Sequence, residues 1–159
     1  MIYPIVSSIS YILITYILKL NKLSITHLYK TNKTYNNTLK VIGAIYNMIM
    51  AMFSLLTFVL LSLSLIQEYG TMINHNVWFS KRIIENQSIL NICWIFLHSK
   101  TVEYFDTFFI LLKGGSPIFL QKFHHFGAVW CWYVLVCVDS SAAIVPTLYN
   151  SFVHSLMYL

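Results

Sequence analysis

Apolar residues run in long blocks along this chain, and polar positions fall in breaks between blocks or at isolated points inside them. A run of about 20 apolar residues crosses a bilayer as a helix, at a rise of about 1.5 Å per residue. The pattern therefore predicts five spans: Tyr3–Leu20, Val41–Ile66, Ile89–Leu112, Ile118–Val138 and a fifth from Ala142 onward. Pro4 is tolerated at the start of the first, and the second is long enough to tilt. Asn21–Lys40 reads as a polar loop, Gln67–Ser88 as a loop of mixed charge, and Lys113-Gly114-Gly115-Ser116-Pro117 as a tight breaker. Ser54, Thr57, Ser62 and Ser64 inside the second span read as helix-packing hydroxyls.

Composition turns the spans into a fold class. Of 159 residues 58% are hydrophobic and only 9% charged, where a soluble domain carries about 25%. The chain lacks the material for a wetted surface, so we expect an all-α polytopic membrane protein with a single embedded domain over residues 1–159. The net charge of +5 does not imply nucleic acid. Lys19, Lys22, Lys30, Lys33 and Lys40 gather in or beside one loop that has no acidic residue, which marks that loop as cytosolic. The first block lacks a basic leader and a small-residue cleavage site, so it reads as a retained helix. Cys93, Cys131 and Cys137 form no Cys-x-x-Cys pair and read as small core residues.

Against that background the stretch Lys100 to His125 stands out. Lys100, Glu103, Asp106 and Thr107 lie in the third span, and Gln121, His124 and His125 in the fourth. Ionisable groups are expensive inside a membrane, so such a cluster is a functional-site hypothesis by default. Lys100, Glu103 and Thr107 fall on one helix face, with Asp106 displaced toward a neighbouring one. Gln121, His124 and His125 can all face one cavity, and Asn150, His154 and Tyr158 form a stripe on the fifth span. From the turn at Gly114, Asp106 is roughly 11 Å deep and His124 roughly 10 Å. His154, counted from the other face, comes to a similar depth, so three helices bring polar groups to one level. A neutral imidazole there can act as nucleophile or base, with a carboxylate or amide fixing its tautomer. The bland alternative is a structural Lys100–Glu103 pair beside packed histidines. A metal site is another alternative: of six histidines, His27 and His75 lie in or beside loops and His98 points away from Glu103, which leaves three.

The motifs Lys100-x-x-Glu103-x-x-Asp106-Thr107, Gln121-x-x-His124-His125 and Asn150-Ser151-x-Val153-His154-x-x-Met157-Tyr158, with Tyr46-Asn47 in the second span, resemble the signatures of the ELO fatty-acid elongase family. The resemblance implies a seven-helix enzyme of the endoplasmic-reticulum membrane that condenses acyl-CoA with malonyl-CoA to a 3-ketoacyl-CoA, releasing CoA and CO₂, with no bound cofactor or metal. It implies that His124 takes the acyl group as an acyl-imidazole and that His154 is its partner. His125 and Asp106 would orient and polarise, with Lys100, Glu103, Thr107, Gln121, Asn47, Asn150 and Tyr158 in support. Implied partners are membrane lipid and the ketoreductase, dehydratase and enoyl reductase of the elongation cycle; a homodimer stays open. Gln121 departs from the pattern, standing where the first histidine of the box is usual. With five spans of seven, the chain reads as C-terminally truncated after Leu159. The rival expectations are a non-catalytic membrane remnant and a metal-dependent lipid oxidase.

Overall fold

The computed structural model describes residues 2–71, 86–138 and 141–159, and most of those residues are helical, with no strand among them. In chain order the helices are α1 Ile2–Leu20, α2 Lys22–Thr31, α3 Lys33–Thr71, α4 Gln87–Val102, α5 Tyr104–Leu112, α6 Phe119–Cys137 and, after a 3₁₀ turn at Ser141–Ala143, α7 Ile144–Met157. His75, Lys81, Arg82 and Glu85 of the expected mixed loop lie outside the described residues. Two described helical stretches, Ile2–Leu20 and Lys33–Glu68, are long and apolar enough to cross a membrane. The chain divides into two compact units, Met1–Ile45 with Ser99–Trp130, and Tyr46–His98 with Cys131–Leu159.

In the first unit α1 is patterned inside out. It buries Ser7, Ser8, Tyr11 and Thr15 and exposes Ile5, Val6, Ile9, Ile12 and Leu13. In water such a helix would be turned the wrong way round. In lipid the medium is as apolar as the side chains, and small polar groups do the helix packing. Tyr3, Ser7, Tyr11 and Thr15, four apart, share one stripe, and α1 packs on α5. The Tyr11 ring stacks on Tyr104 with centroids 4.3 Å apart. Its hydroxyl lies 3.2 Å from Thr107 Oγ1, and Tyr3 Oη meets Thr101 Oγ1 at 2.5 Å. Trp130 Nε1 donates to Ser8 Oγ at 2.9 Å. Tyr11, Tyr104, Phe108 and Val129 form the apolar centre of this unit. This is a membrane protein.

The segment Asn21–Lys40, expected as a loop, is helical. Asn21 N and Nδ2 both donate to Ile17 O, at 3.2 and 2.9 Å, which carries the chain through a one-residue interruption. Asn32 is extended (ψ 101°) and ends α2. Its Oδ1 accepts from Tyr35 N at 3.0 Å, so it also caps α3. Amides that suggested a loop serve as helix ends.

The expected breaker is a Schellman turn at the end of α5. Gly115 N donates to Ile110 O and Gly114 N to Leu111 O, both at 2.9 Å, with Gly114 at φ +76°. The turn docks on α2 and the start of α3. Lys22 Nζ donates to Ser116 Oγ at 2.6 Å, and Tyr35 Oη donates to Leu112 O at 3.2 Å.

The third expected span is two helices, α4 and α5, joined at Glu103. Glu103 N bonds Ser99 O four residues back, whereas Asp106 N bonds Glu103 O three back. The backbone tightens there into a 3₁₀ turn, in which residues i and i+3 eclipse.

In the second unit, Leu61, Ile89, Cys93, Val136, Ala143 and Ile144 form a buried cluster. Trp132 Nε1 donates to Thr147 Oγ1 at 2.9 Å. Ser54 and Thr57 are buried, as packing hydroxyls should be, and Ser62 and Ser64 are half-buried. Of the cysteines only Cys93 is a core residue. Cys131 and Cys137 are exposed, because Trp132 and Val136, four apart, take the buried face of α6.

Gly114 and Gly127 give opposite expectations. A Cβ at Gly114 would lie 2.6 Å from Thr26 Oγ1 and 3.1 Å from Thr26 Cα, at positive φ. Gly114→Ala should therefore cost about 1–2 kcal/mol from backbone strain alone, before the clash. A Cβ at Gly127 meets nothing within 4 Å, so Gly127→Ala should leave stability unchanged or raise it by up to about 1 kcal/mol. Thermal unfolding of both variants in detergent checks the pair.

Candidate active site

The polar centre of the first unit is built at the 3₁₀ tightening. Lys100 ends a nearly complete α4 and reaches forward one turn, so its Nζ donates to Glu103 Oε1 at 2.5 Å. Both residues are only 1% exposed, so water does not screen this pair. From α6 the buried His125 faces the same point. Its Nδ1 is 3.9 Å from Glu103 Oε2 and its Nε2 is 3.9 Å from Asp106 Oδ2. The imidazole lies between two carboxylates, each beyond direct hydrogen-bond length for these atom pairs yet close enough to orient the ring. The i, i+3 eclipse at Glu103 is what allows Glu103 and Asp106 to address one ring from both edges. Thr107 is fully buried, against Tyr11.

His124 differs from its neighbour in surroundings alone. It is exposed, with its ring centroid 5.7 Å from that of His125 and tilted by 61°. Gln121, one turn earlier, is half-buried. The sequence grouping of Lys100, Glu103, Asp106, Thr107 and His125 is thus brought together, with His124 at its edge. His27 and His98 are exposed. Among the described residues no group of three or more His, Cys, Asp or Glu side chains is arranged to hold a metal ion.

The other expected site residues belong to the second unit. His154 is buried on α7, with its ring 5.6 Å from that of Tyr158. Tyr158 in turn packs on Met50 and Ala51 and meets Tyr46 edge-on at 6.1 Å. Asn150 is half-buried and Asn47 is exposed. Sequence reading missed the α1 tyrosines, which support the site from behind through Thr101 and Thr107. Their signal was present as the four-residue spacing of Tyr3, Ser7, Tyr11 and Thr15 in an otherwise aliphatic helix.

The sequence pattern of the ELO family, described as the GNS1/SUR4 family, matches residues 2–159. The chain belongs to the ELO family. Among relatives of this family member, very long chain fatty acid elongase 5 of Tachysurus fulvidraco is 35% identical over 74 residues, 44% of this chain and 25% of the relative. Elongase 7 of Rattus norvegicus is 37% identical over 73 residues, 44% and 26% of the two chains. Elongase 4 of Homo sapiens is 31% identical over 123 residues, 76% of this chain and 39% of the relative. The matched stretches thus span well under half of each relative's length. No solved structure matches the chain.

The Lys100–Glu103 pair has a testable energetic signature. Removing one partner leaves a buried charge, which costs about 3–5 kcal/mol, whereas replacing both with apolar residues is often neutral or stabilising. Glu103→Leu should therefore destabilise the fold strongly and Lys100→Met/Glu103→Leu should restore most of the loss. The check is a double-mutant cycle of unfolding free energies in detergent.

Proposed function

We propose that this chain carries the histidine site of a fatty-acid elongase condensing enzyme, acting on a long-chain acyl-CoA and malonyl-CoA. The observation that carries this reading is the asymmetry of the histidine pair. One imidazole is buried between Glu103 and Asp106, and the next is exposed beside it. An acyl thioester can reach only an open ring, so His124 is the nucleophile and His125 the positioning residue.

In the first step the unprotonated nitrogen of His124 attacks the thioester carbonyl. The C–S bond breaks, CoA leaves as thiolate and takes up the imidazole proton, and an acyl-imidazole remains. Malonyl-CoA then loses CO₂, and the electron pair of the broken C–C bond becomes an enolate. The enolate carbon attacks the acyl carbon, the C–N bond to His124 breaks, the departing imidazolate takes up a proton from water, and a 3-ketoacyl-CoA two carbons longer is formed. Lys100 and Glu103 hold the carboxylate side of the site, and Asp106 and Thr107 complete it. Gln121 can donate and accept a hydrogen bond but carries no proton at neutral pH, so the proton traffic falls to the histidines. His154, Asn150, Tyr158 and Asn47 enter by motif. The reading makes the protein a multi-pass component of the endoplasmic-reticulum membrane, working with the ketoreductase, dehydratase and enoyl reductase that follow.

The test is malonyl-CoA-dependent extension of acyl-CoA in microsomes expressing the chain, with peptide mapping after incubation with acyl-CoA alone. The expected result is chain extension and an acyl mass increment at His124, both lost in His124→Ala with a fall in rate of at least about a hundredfold. Extension by His124→Ala at the parental rate would refute the nucleophile assignment. No extension by the parent chain would refute the condensing reading.

A further inference from the structure

Outside the histidine site, the first unit holds a groove of about 370 Å³ between α1 and the start of α6, lined by Tyr11, Ile12, Thr15, Phe119, Phe123 and Phe126, with Lys19 and Lys122 among its wall residues. Its walls are apolar over two turns of α1, from Tyr11 to Lys19, which is roughly 12 Å along the axis. On the α6 side Phe119 and Phe123 stack with centroids 6.0 Å apart and are both exposed. Lys19 sits in the last turn of α1, and it and Lys122 have no hydrogen bond or ion pair among the described residues. The groove therefore combines an apolar slot with two ammonium groups that have no counter-charge among the described residues.

We infer that this groove is a binding site for an anionic phospholipid. A glycerophospholipid with a net negative headgroup matches it part by part. The acyl chain lies along Ile12 and the phenylalanines, and the phosphate meets Lys19 and Lys122. Charge complementarity selects this occupant over a neutral lipid. The exposed apolar faces of α1 on one side and α6 on the other open the groove to the bilayer and not to an aqueous cleft. Lysines at the end of a membrane helix lie where headgroups do, since their long stems carry the charge outward. The site uses none of the residues assigned to condensation, so it stands or falls independently of that reading.

Native mass spectrometry of the purified full chain, with phosphatidylserine or phosphatidylcholine added in neutral detergent, tests this. Phosphatidylserine should be retained in clear preference, with affinity falling about fivefold for each lysine removed in Lys19→Gln, Lys122→Gln and the double variant. Lys30→Gln/Lys33→Gln, which removes two lysines away from the groove, should retain the lipid as the parent does. Ile12→Trp fills the slot while leaving both charges, and should also lose retention, which covers the case in which the lysine variants do not fold. Equal retention of phosphatidylcholine, unaltered retention by Lys19→Gln/Lys122→Gln or by Ile12→Trp, or displacement by inorganic phosphate or by acyl-CoA in place of lipid would each overturn the assignment.

Discussion

The structure of the site depends on one buried ion pair, Lys100 with Glu103. In an apolar interior such a pair is seldom worth its desolvation, and well-packed hydrocarbon would hold the helices as well or better. Its value lies in direction. With one oxygen of Glu103 bound to Lys100 Nζ, the carboxylate is fixed in rotation, and its second oxygen is held toward His125. The tightening of the backbone at Glu103 then brings Asp106 to the opposite edge of the same ring. A straight α-helix would leave these two carboxylates about 60° apart around the axis. The break in the helix and the ion pair are therefore two parts of one device for orienting an imidazole.

Much of this was legible in the sequence for a simple reason. In a hydrocarbon setting every ionisable residue is conspicuous, so Lys100, Glu103, Asp106 and the histidine pair declared themselves. The block lengths similarly gave α1, α6, α7 and the apolar part of α3, and the membrane reading explains why α1 turns its serines and tyrosines inward and its isoleucines outward. What stayed hidden was local backbone geometry. No residue near Glu103 is a helix breaker, so a change from four-residue to three-residue hydrogen bonding left no mark in the composition.

The Asn-, Thr- and Lys-rich segment 21–40 misled for a different reason. Loop-like residues and helix-capping residues are the same residues, and only their spacing separates the two uses. Asn32 stands three before Tyr35, whose amide it caps, and Asn21 stands four after Ile17, to whose carbonyl its side-chain amide donates. Between these amides α2 buries no side chain fully; it rests against the end of α5 through Thr26 beside Gly114 and Lys22 on Ser116. The Schellman turn at Gly114, which the sequence did announce through its paired glycines, needs that helix. Its close approach to Thr26 fixes the level at which α5 ends.

Fixing the end of α5 has a consequence for chemistry. Asp106 and Glu103 lie on the eight to eleven residues preceding Gly114, so the docked turn sets their height, while the Tyr11–Thr107 contact sets the rotation of α5 about its axis. His125 meets the carboxylates only if both are right. Two adjacent histidines on one helix point about 100° apart, so once His125 is drawn inward His124 must face outward. The exposure of His124 is thus a result of the same contacts that bury its neighbour. A pair of identical side chains acquires two roles because one of them is anchored.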